Sequence, residues 1–480
     1  MRSCVLAALV GTAGVALAFL GGEKDAHACG GCFTPPTENE SVITDEKMLL
    51  TVSMQQTTLY DQINYSGSPA SFAWVLPIKG TVTVGLSADI LFQIVGNLTA
   101  TQVETPPTNC PPPPSCAGLF GTPSNNGGGA AEGVGSGTGS GVTVTAQAQV
   151  GPYETVQLHS SDGSALNNWL TGHGYAIPAS TQPIITSYVT AGFDFLALKL
   201  IPGAGVQSMQ PVRVTSQGAA LSLPLHMVAV GTGPTTGITI WVVADGRYEP
   251  KNFPTFTIAD SEIAWDWSTS SSNYETVRLA KEATFGGRGW QIESSLELSQ
   301  YTISQSLLQN VEYGGTTGGY LAGPAGDGGA GDGSAADAAS GSGTGTGGDA
   351  GGGLAAANAD LDVLFAGISP PNVRITRMRS DVAQSALSVD MALQASSDQS
   401  EMTNLHTPGQ QIGEPQCAIY NSDCEQTGTA PRSQAIAMAT SSNGCSTTQP
   451  KSRTAPTLAG LMALAGLVLV RSRRRARRPR

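Results

Sequence analysis

The sequence predicts an α+β fold, mainly antiparallel strands with short helices, interrupted by two flexible Gly-rich insertions. Three observations carry that expectation. Apolar side chains alternate with polar ones, or run unbroken over strand-length stretches, along most of the body. Helical spacing occurs only in short windows closed by Gly or Pro. Residues 121–142 and 323–353 are almost wholly small and polar, with too little apolar surface to offset the entropy of ordering them.

The body opens on Thr34-Pro35-Pro36, an extended or turning segment. Leu50, Val52 and Met54 then alternate with Thr51, Ser53 and Gln55, the period of a half-buried strand. Phe72-Ala73-Trp74-Val75-Leu76-Pro77 is a continuous apolar run suited to burial on both faces, and Thr81–Val84 alternates again. Ser87 stands where it would cap a helix whose Ile90, Leu91, Ile94 and Leu98 share one face. Leu166, Trp169 and Leu170 suggest a second helix stopped near Gly172, and Pro183 to Val189 a third stopped at Gly192. Strands are expected at Phe193–Ile201, Val212–Thr215 and Ile238–Val243.

Past the second insertion, Leu361, Leu364, Phe365 and Ile368 form a short helical face ended by Pro370-Pro371, and Val373–Met378 and Leu387–Leu393 follow as strands. A remnant of roughly 45 residues cannot bury a core alone. It is therefore expected to complete the sheet begun upstream, which makes both Gly-rich stretches insertions in one domain over residues 29–402. Residues 403–454, polar with scattered Pro, are expected as a stalk. In a strand from Val373, Arg377 and Arg379 share a side with Val373 and Ile375. An inward arginine needs a partner, and Asp390 in the next expected strand is the nearest candidate. Arg377–Asp390 is the expected structural ion pair, with a ligand-facing arginine as the alternative.

The two ends carry addresses. Arg2, the apolar stretch Cys4–Leu20 and Ala26-His27-Ala28 make residues 1–28 a signal peptide with an A-x-A cleavage site. At the other end come Cys445, a polar spacer, apolar Thr457–Val470 and seven arginines between Arg471 and Arg480, so that residues 455–480 make a hydrophobic segment with an Arg-rich tail. Those 14 apolar residues span about 21 Å as a helix at about 1.5 Å per residue, short of the ~30 Å of a hydrocarbon core. The arginines would hold the C-terminus in the cytoplasm. Between the ends, residues 29–444 hold 13 Lys+Arg against 34 Asp+Glu, a net of −21. So acidic a body repels phosphate backbones, and no nucleic-acid partner is expected.

The six cysteines between the two signals fall into close pairs, Cys29/Cys32, Cys110/Cys116 and Cys417/Cys424. In an oxidising compartment such spacing reads as local disulfides, a preference among several connectivities. Each would contribute roughly 2–3 kcal/mol. A redox role for Cys29-Gly-Gly-Cys32 would need a helix N-terminus to lower the thiol pKa, whereas Pro35-Pro36 follows. Zinc through this pair and another is a minor alternative, and haem attachment fails because Phe33 stands where His is required. A lipoprotein signal at Cys29 is a further alternative, although Ala26 replaces the usual Leu.

No catalytic residue, metal or cofactor is expected. His159, His173, His226 and His406 are scattered, and neither a G-x-S-x-G elbow nor a phosphate-binding P-loop occurs. The G-x-G-x-x-G matches at Gly326 and Gly343 lie in low-complexity sequence. Asp327, Asp332, Asp337 and Asp349 lack the spacing of a calcium loop. Trp265, Trp267 and Trp290 would mark a binding surface if exposed, and core aromatics if not.

Two resemblances extend this reading. Gly444-Cys445, the spacer, the Leu/Ala/Gly-rich segment and the Arg-rich end resemble the myxobacterial C-terminal sorting signal. That implies processing near Cys445, modification of that cysteine and transfer to the outer cell surface. Cys29-Gly-Gly, Phe72–Pro77, Gly174-Tyr175-Ala176-Ile177-Pro178, Phe195-Leu196-Ala197-Leu198-Lys199-Leu200, and Thr376-Arg377-Met378-Arg379 followed by Val389-Asp390 resemble the bacterial DUF2330 family over roughly residues 29–395. That family implies export and a domain boundary, without an activity. The expected protein is exported and surface-anchored, with a binding or envelope-structural role. Its expected partners are the export and C-terminal processing machinery and the membrane, reached through the C-terminal segment or a modified Cys445, while the surface ligand stays unidentified. An inner-membrane anchor with a periplasmic domain is the alternative location. The alternative functions are a hydrolase-like exported enzyme using dispersed carboxylates such as Asp194 and Asp245, and a thiol-redox protein using Cys29/Cys32.

Overall fold

The structure is a computed structural model that describes residues 32–33, 42–66, 73–113, 148–158, 171–172, 181–201, 209–230, 232–313, 320, 350–369, 371–421 and 425–442. The signal peptide, the first insertion, the helix expected around Leu166–Leu170 and the C-terminal tail lie outside these residues, except for 171–172.

β1 (Cys32–Phe33) precedes the hairpin of β2 (Val42–Val52) and β3 (Gln56–Ser66), then β4 (Ala73–Ile78) and β5 (Thr83–Leu86). Helix α1 (Asp89–Thr99) leads to β6 (Gln102–Val103), β7 (Ala148–Val150) and β8 (Tyr153–Leu158). Helix α2 (Gln182–Thr190) and β9 (Asp194–Leu200) come before β10 (Val212–Gln217), β11 (Ser222–Leu223) and the single-turn α3 (Leu225–Val228). The long β12 (Thr232–Ala244) is followed by β13 (Tyr248–Pro250), β14 (Thr255–Phe256), β15 (Ala264–Asp266) and β16 (Ser271–Ser272). Then come α4 (Tyr274–Ala283), β17 (Trp290–Ser299), α5 (Gln300–Tyr313), α6 (Ala350–Leu364), β18 (Asn372–Ala383) and β19 (Met391–Ala395). The chain closes with β20 (Leu405–His406), β21 (Gln410–Ile412), the hairpin of β22 (Gln416–Tyr420) and β23 (Gln426–Pro431), and α7 (Arg432–Ser442).

Two compact units result: Met1–Pro107 with Phe120–Pro415, and Thr108–Leu119 with Gln416–Arg480. In the first, an eight-stranded sheet runs β14-β17-β18-β12-β2-β3-β10-β5 and a five-stranded sheet β1-β4-β9-β8-β7. Within these sheets the neighbours are antiparallel except β12–β2 and β14–β17. The fold is α+β, as predicted.

Side-chain alternation sorts the apolar residues into layers. Met48, Leu50, Ile238, Ile240 and Met378 of the large sheet share one core with Trp74, Leu76 and Leu196 of the small sheet. The intervening Leu49, Trp241, Val243 and Ile375 face the opposite way and pack with residues of α1, α5 and α6. On the far side of the small sheet, Val75, Phe195 and Ala197 pack with Ile185 and Tyr188 of α2 and Met227 of α3. Two sheets thus lie face to face, each with helices on its outer surface. This explains why β12 reads as the near-continuous apolar run Ile238–Ala244: both its faces are covered.

The remnant after the second insertion does complete the sheet, because β18 is inserted between β17 and β12. The insertion itself is shorter than expected, since residues 350–353 already belong to α6. Gly192 stops α2 with φ +74°, a conformation that favours Gly. Two local expectations need correction. Met54 lies at the β2–β3 turn with 89% exposure, because Ser53 Oγ accepts the Gln55 and Gln56 N–H groups and ends the strand. Ser87 does not cap α1; Ala88 occupies the cap position and the Ser87 hydroxyl donates to Asp360 instead.

Residues 403–415, expected at the start of a stalk, are part of the first unit: β20 pairs with β6 and β21 with β15. In the second unit β22 and β23 pair antiparallel, with buried Cys417 opposite Ala430.

Candidate functional site

Three groups of polar residues stand out in the first unit. The first lies between the two sheets. Glu46 on β2 and Asp61 on β3 are 1% and 4% exposed. The register sets Met48 opposite Asp61, and Ile238 opposite Glu46. The two acids are therefore diagonal neighbours on one face, a Cα separation of about 7–8 Å that their side chains can bridge. Their strand partners Met48, Ile238 and Val212 are all core residues. Among the described residues, Glu46 Oε2 and Asp61 Oδ1 have no hydrogen-bond partner. Thr236 on β12, 1% exposed, adds an unpartnered hydroxyl one diagonal step from Glu46. It sits opposite core residue Val382, so it shares their face. Burial pushes the Asp61 carboxyl up to about 7. It raises Glu46 well above its ordinary value, with the charges of Asp61 and Asp45 adding to the effect.

A second, partly open group surrounds Asp390, just before β19. Asp390 Oδ1 accepts the Tyr188 hydroxyl and, at 3.1 Å, the backbone N–H of His226. Met227 N–H donates to the Tyr188 oxygen at 3.2 Å, and the Tyr188 and His226 rings are 5.9 Å apart. Burial raises the Asp390 carboxyl against the hydrogen bonds that stabilise its charge. Burial lowers His226, opposed by the Asp390 charge. The carboxylate thus anchors α3 to α2 and leaves a half-buried imidazole beside a phenol, groups able to exchange protons or bind a polar ligand.

The third group comprises clamps on the helix-covered face of the large sheet. Asp360 of α6 takes hydrogen bonds from Ser87 at 2.5 Å and Tyr320 at 2.6 Å, and pairs with Arg213 of β10. Arg278 of α4 pairs with Glu275 at 2.6 Å, Glu282 at 2.8 Å and Asp381 at 2.5 Å. Arg377 of β18 lies over the Trp241 ring, donates to Gly96 O near the C-terminus of α1, and has Nε 2.5 Å from Glu293 Oε2.

That last geometry corrects the expected Arg377–Asp390 pair. Arg377 does face inward beside Ile375, but its counter-ion is Glu293. The register of β17 against β18 slips between Ile292 and Ser294, and the extra residue of this bulge is Glu293. Asp390 is carried away by the turn at Gln384–Ala386, and β19 joins β11 and β13 in a separate sheet.

The cysteine pairing needs correction as well. Cys110 bonds Cys417, 307 residues away, rather than Cys116, and Cys417 is therefore not paired with Cys424. Pro111, Pro112 and Pro113 follow Cys110 and favour an extended chain over a tight ring. Cys29, Cys116, Cys424 and Cys445 lie outside the described residues. The backbone of Cys32 pairs with Trp74 in β1, so the second cysteine of the C-x-x-C stands in a strand.

Trp265 and Trp290 are buried, as core aromatics would be. His406 bonds Asp260 through Nδ1 at 2.8 Å, and His159 and His173 lie outside the described residues. Asp194 opens β9 of the small sheet, whereas Asp245 is exposed after β12 of the large one. Glu46 and Asp61 escaped the sequence reading, although a signal existed: Glu46 is in phase with Met48, Leu50 and Val52, and Asp61 with Leu59. An acid in phase with a core stripe points inward. Among the described residues, no three His, Cys, Asp or Glu side chains are grouped to hold a metal ion. No helix among them is long and apolar enough to cross a membrane.

Neither a curated protein nor a solved structure matches the chain. A family described as "Uncharacterized protein conserved in bacteria (DUF2330)" matches residues 24–302, from the end of the expected signal peptide into α5. The match covers Cys29, the Glu46–Asp61 pair and most of the large sheet, and stops short of β18 and Asp390. With more than half of its length matched, the chain belongs to the DUF2330 family of bacterial proteins.

Proposed function

We propose that the protein is exported and displayed at the outer cell surface, where it acts by binding or as envelope structure rather than by catalysis. The observation that supports export most strongly is the Cys110–Cys417 bond. Disulfides persist in oxidising compartments and are rare where glutathione and thioredoxin keep thiols reduced. Residues 1–28 supply the matching export signal. The tail from Cys445 onward supplies the tether, either by modification of that cysteine or as an inner-membrane anchor. Its partners are then the export and processing machinery and a membrane.

A non-reducing tryptic map of the protein from fractionated cells tests this. Cleavage after Lys79, Lys199, Arg379 and Arg432 places Cys110 in peptide 80–199 and Cys417 in peptide 380–432. The expected result is one linked species from the cell-surface fraction that separates on reduction, with termini at Cys29 and near Cys445. Unlinked free-thiol peptides from a cytoplasmic fraction would overturn the proposal, and a chain retaining Arg471–Arg480 would replace surface display by the inner-membrane anchor.

The Tyr188–Asp390–His226 group favours a second reading, an exported enzyme using acid–base chemistry. Hydrolysis of an ester or glycoside by the wild type that His226→Ala abolishes would establish it.

A further inference from the structure

The unpaired acids between the sheets have no part in export or display. We propose that Glu46 and Asp61 form a proton-binding site that couples the packing of the two sheets to pH: with a proton held between the carboxyls the shared core closes, and with both ionised the β2–β3 hairpin loosens from it. Two desolvated carboxylates on one face cannot both stay charged without a counter-ion. Among the described residues none faces them. On their own strands, Lys47 pairs with Asp45, and Gln62 bonds Asp89; Asp45, Lys47 and Gln62 alternate onto the opposite face. On β10, Val212 and Val214 face the core while Arg213 turns outward to Asp360. β12 offers Thr236 and Ile238, and β18 offers Met378 and Val382, with Arg377, Arg379 and Asp381 on the other side. From the small sheet Tyr153 faces this core, its hydroxyl donating to Gln210 O at 2.9 Å, and Asp194, in phase with Leu196 and opposite core residue Ile78, lies on the same face at the start of β9; neither is a counter-ion for the pair.

Thr236 would complete a donor set of oxygens for a hard cation. Two carboxyls and one hydroxyl fall short of the six to eight oxygens calcium takes, and the surrounding side chains are apolar. A proton satisfies the pair where a cation does not. The sign follows. Both carboxyls titrate higher in the folded chain than in the unfolded one. Between the unfolded value, about 4, and the folded value of Asp61, about 7, the native state holds protons that the unfolded state has lost. Stability therefore falls as pH rises through that window.

The experiment is the melting temperature of the exported chain at pH 5 and pH 8, for wild type, Glu46→Gln and Asp61→Asn, with and without calcium chloride. The expected result is a fall in the wild type larger by on the order of 5 °C than in either variant. Should the variants fail to fold, the infrared spectrum of the wild type decides: a protonated-carboxyl band at pH 6 that disappears on unfolding supports the proposal, and its absence overturns it. Equal pH dependence in all three proteins would overturn it. So would stabilisation of the wild type by calcium at pH 8 that both variants lose, which would make the pair a cation site.

Discussion

The two faces of the eight-stranded sheet treat buried charge in opposite ways. On the helix-covered face, Asp360 meets Arg213, Arg377 meets Glu293, and Arg278 meets three carboxylates. On the face turned to the small sheet, Glu46 and Asp61 lie among apolar neighbours and the Thr236 hydroxyl, with no counter-ion among the described residues. Paired charges fix helices to the sheet at defined points, because removing either partner leaves the other stranded. Unpaired charges cannot act as joints. They store an electrostatic cost that a proton removes, so they make stability a function of pH.

Breaking the clamps should have the largest effects. Asp360→Ala strands the Arg213 guanidinium and removes the acceptor of Ser87 and Tyr320. A loss of about 3–5 kcal/mol in chemical denaturation is expected. Arg377→Met leaves Glu293 buried alone and should cost about 3 kcal/mol, with much of it recovered by adding Glu293→Leu. A double variant no more stable than the single would show that the pair is not a joint. The inner face should respond with the opposite sign: Asp61→Asn at pH 8 is expected to stabilise by about 1–3 kcal/mol, a gain that shrinks toward pH 5. The smallest effect is on the outer face, where Thr99→Val removes the acceptor of the Trp241 indole N–H at 2.8 Å and should cost about 1 kcal/mol.

Sequence patterning carried the strands further than the helices. β12, β9 and β18 could be placed because β-branched and apolar residues repeat along them, and the short remnant after residue 353 could be assigned to the sheet because it is too small to fold alone. α4 was unreadable for a physical reason. Its buried stripe at four-residue spacing is Tyr274, Arg278 and Glu282, so charge replaces the apolar periodicity that marks a helix. The inward side of Arg377 followed from alternation. Its partner did not, because a bulge delivers Glu293 and no local pattern announces a bulge. The disulfide was misread because adjacency along the chain says little about adjacency in space across 307 residues. Asp390 is legible in the sequence only as the acid nearest to Arg377 in the next expected strand, because its partners Tyr188 and His226 reach it from 202 and 164 residues away.

The most direct test of the contrast between the faces is the proton inventory of unfolding at pH 6, measured by calorimetry in buffers of differing ionisation enthalpy. Since Asp61 titrates at about 7 when folded and near 4 when unfolded, wild type should release about one proton more at that pH than Asp61→Asn. Equal release by the two proteins would mean that Asp61 is already ionised in the folded chain, and the inner face would differ from the outer one only in having lost its partners.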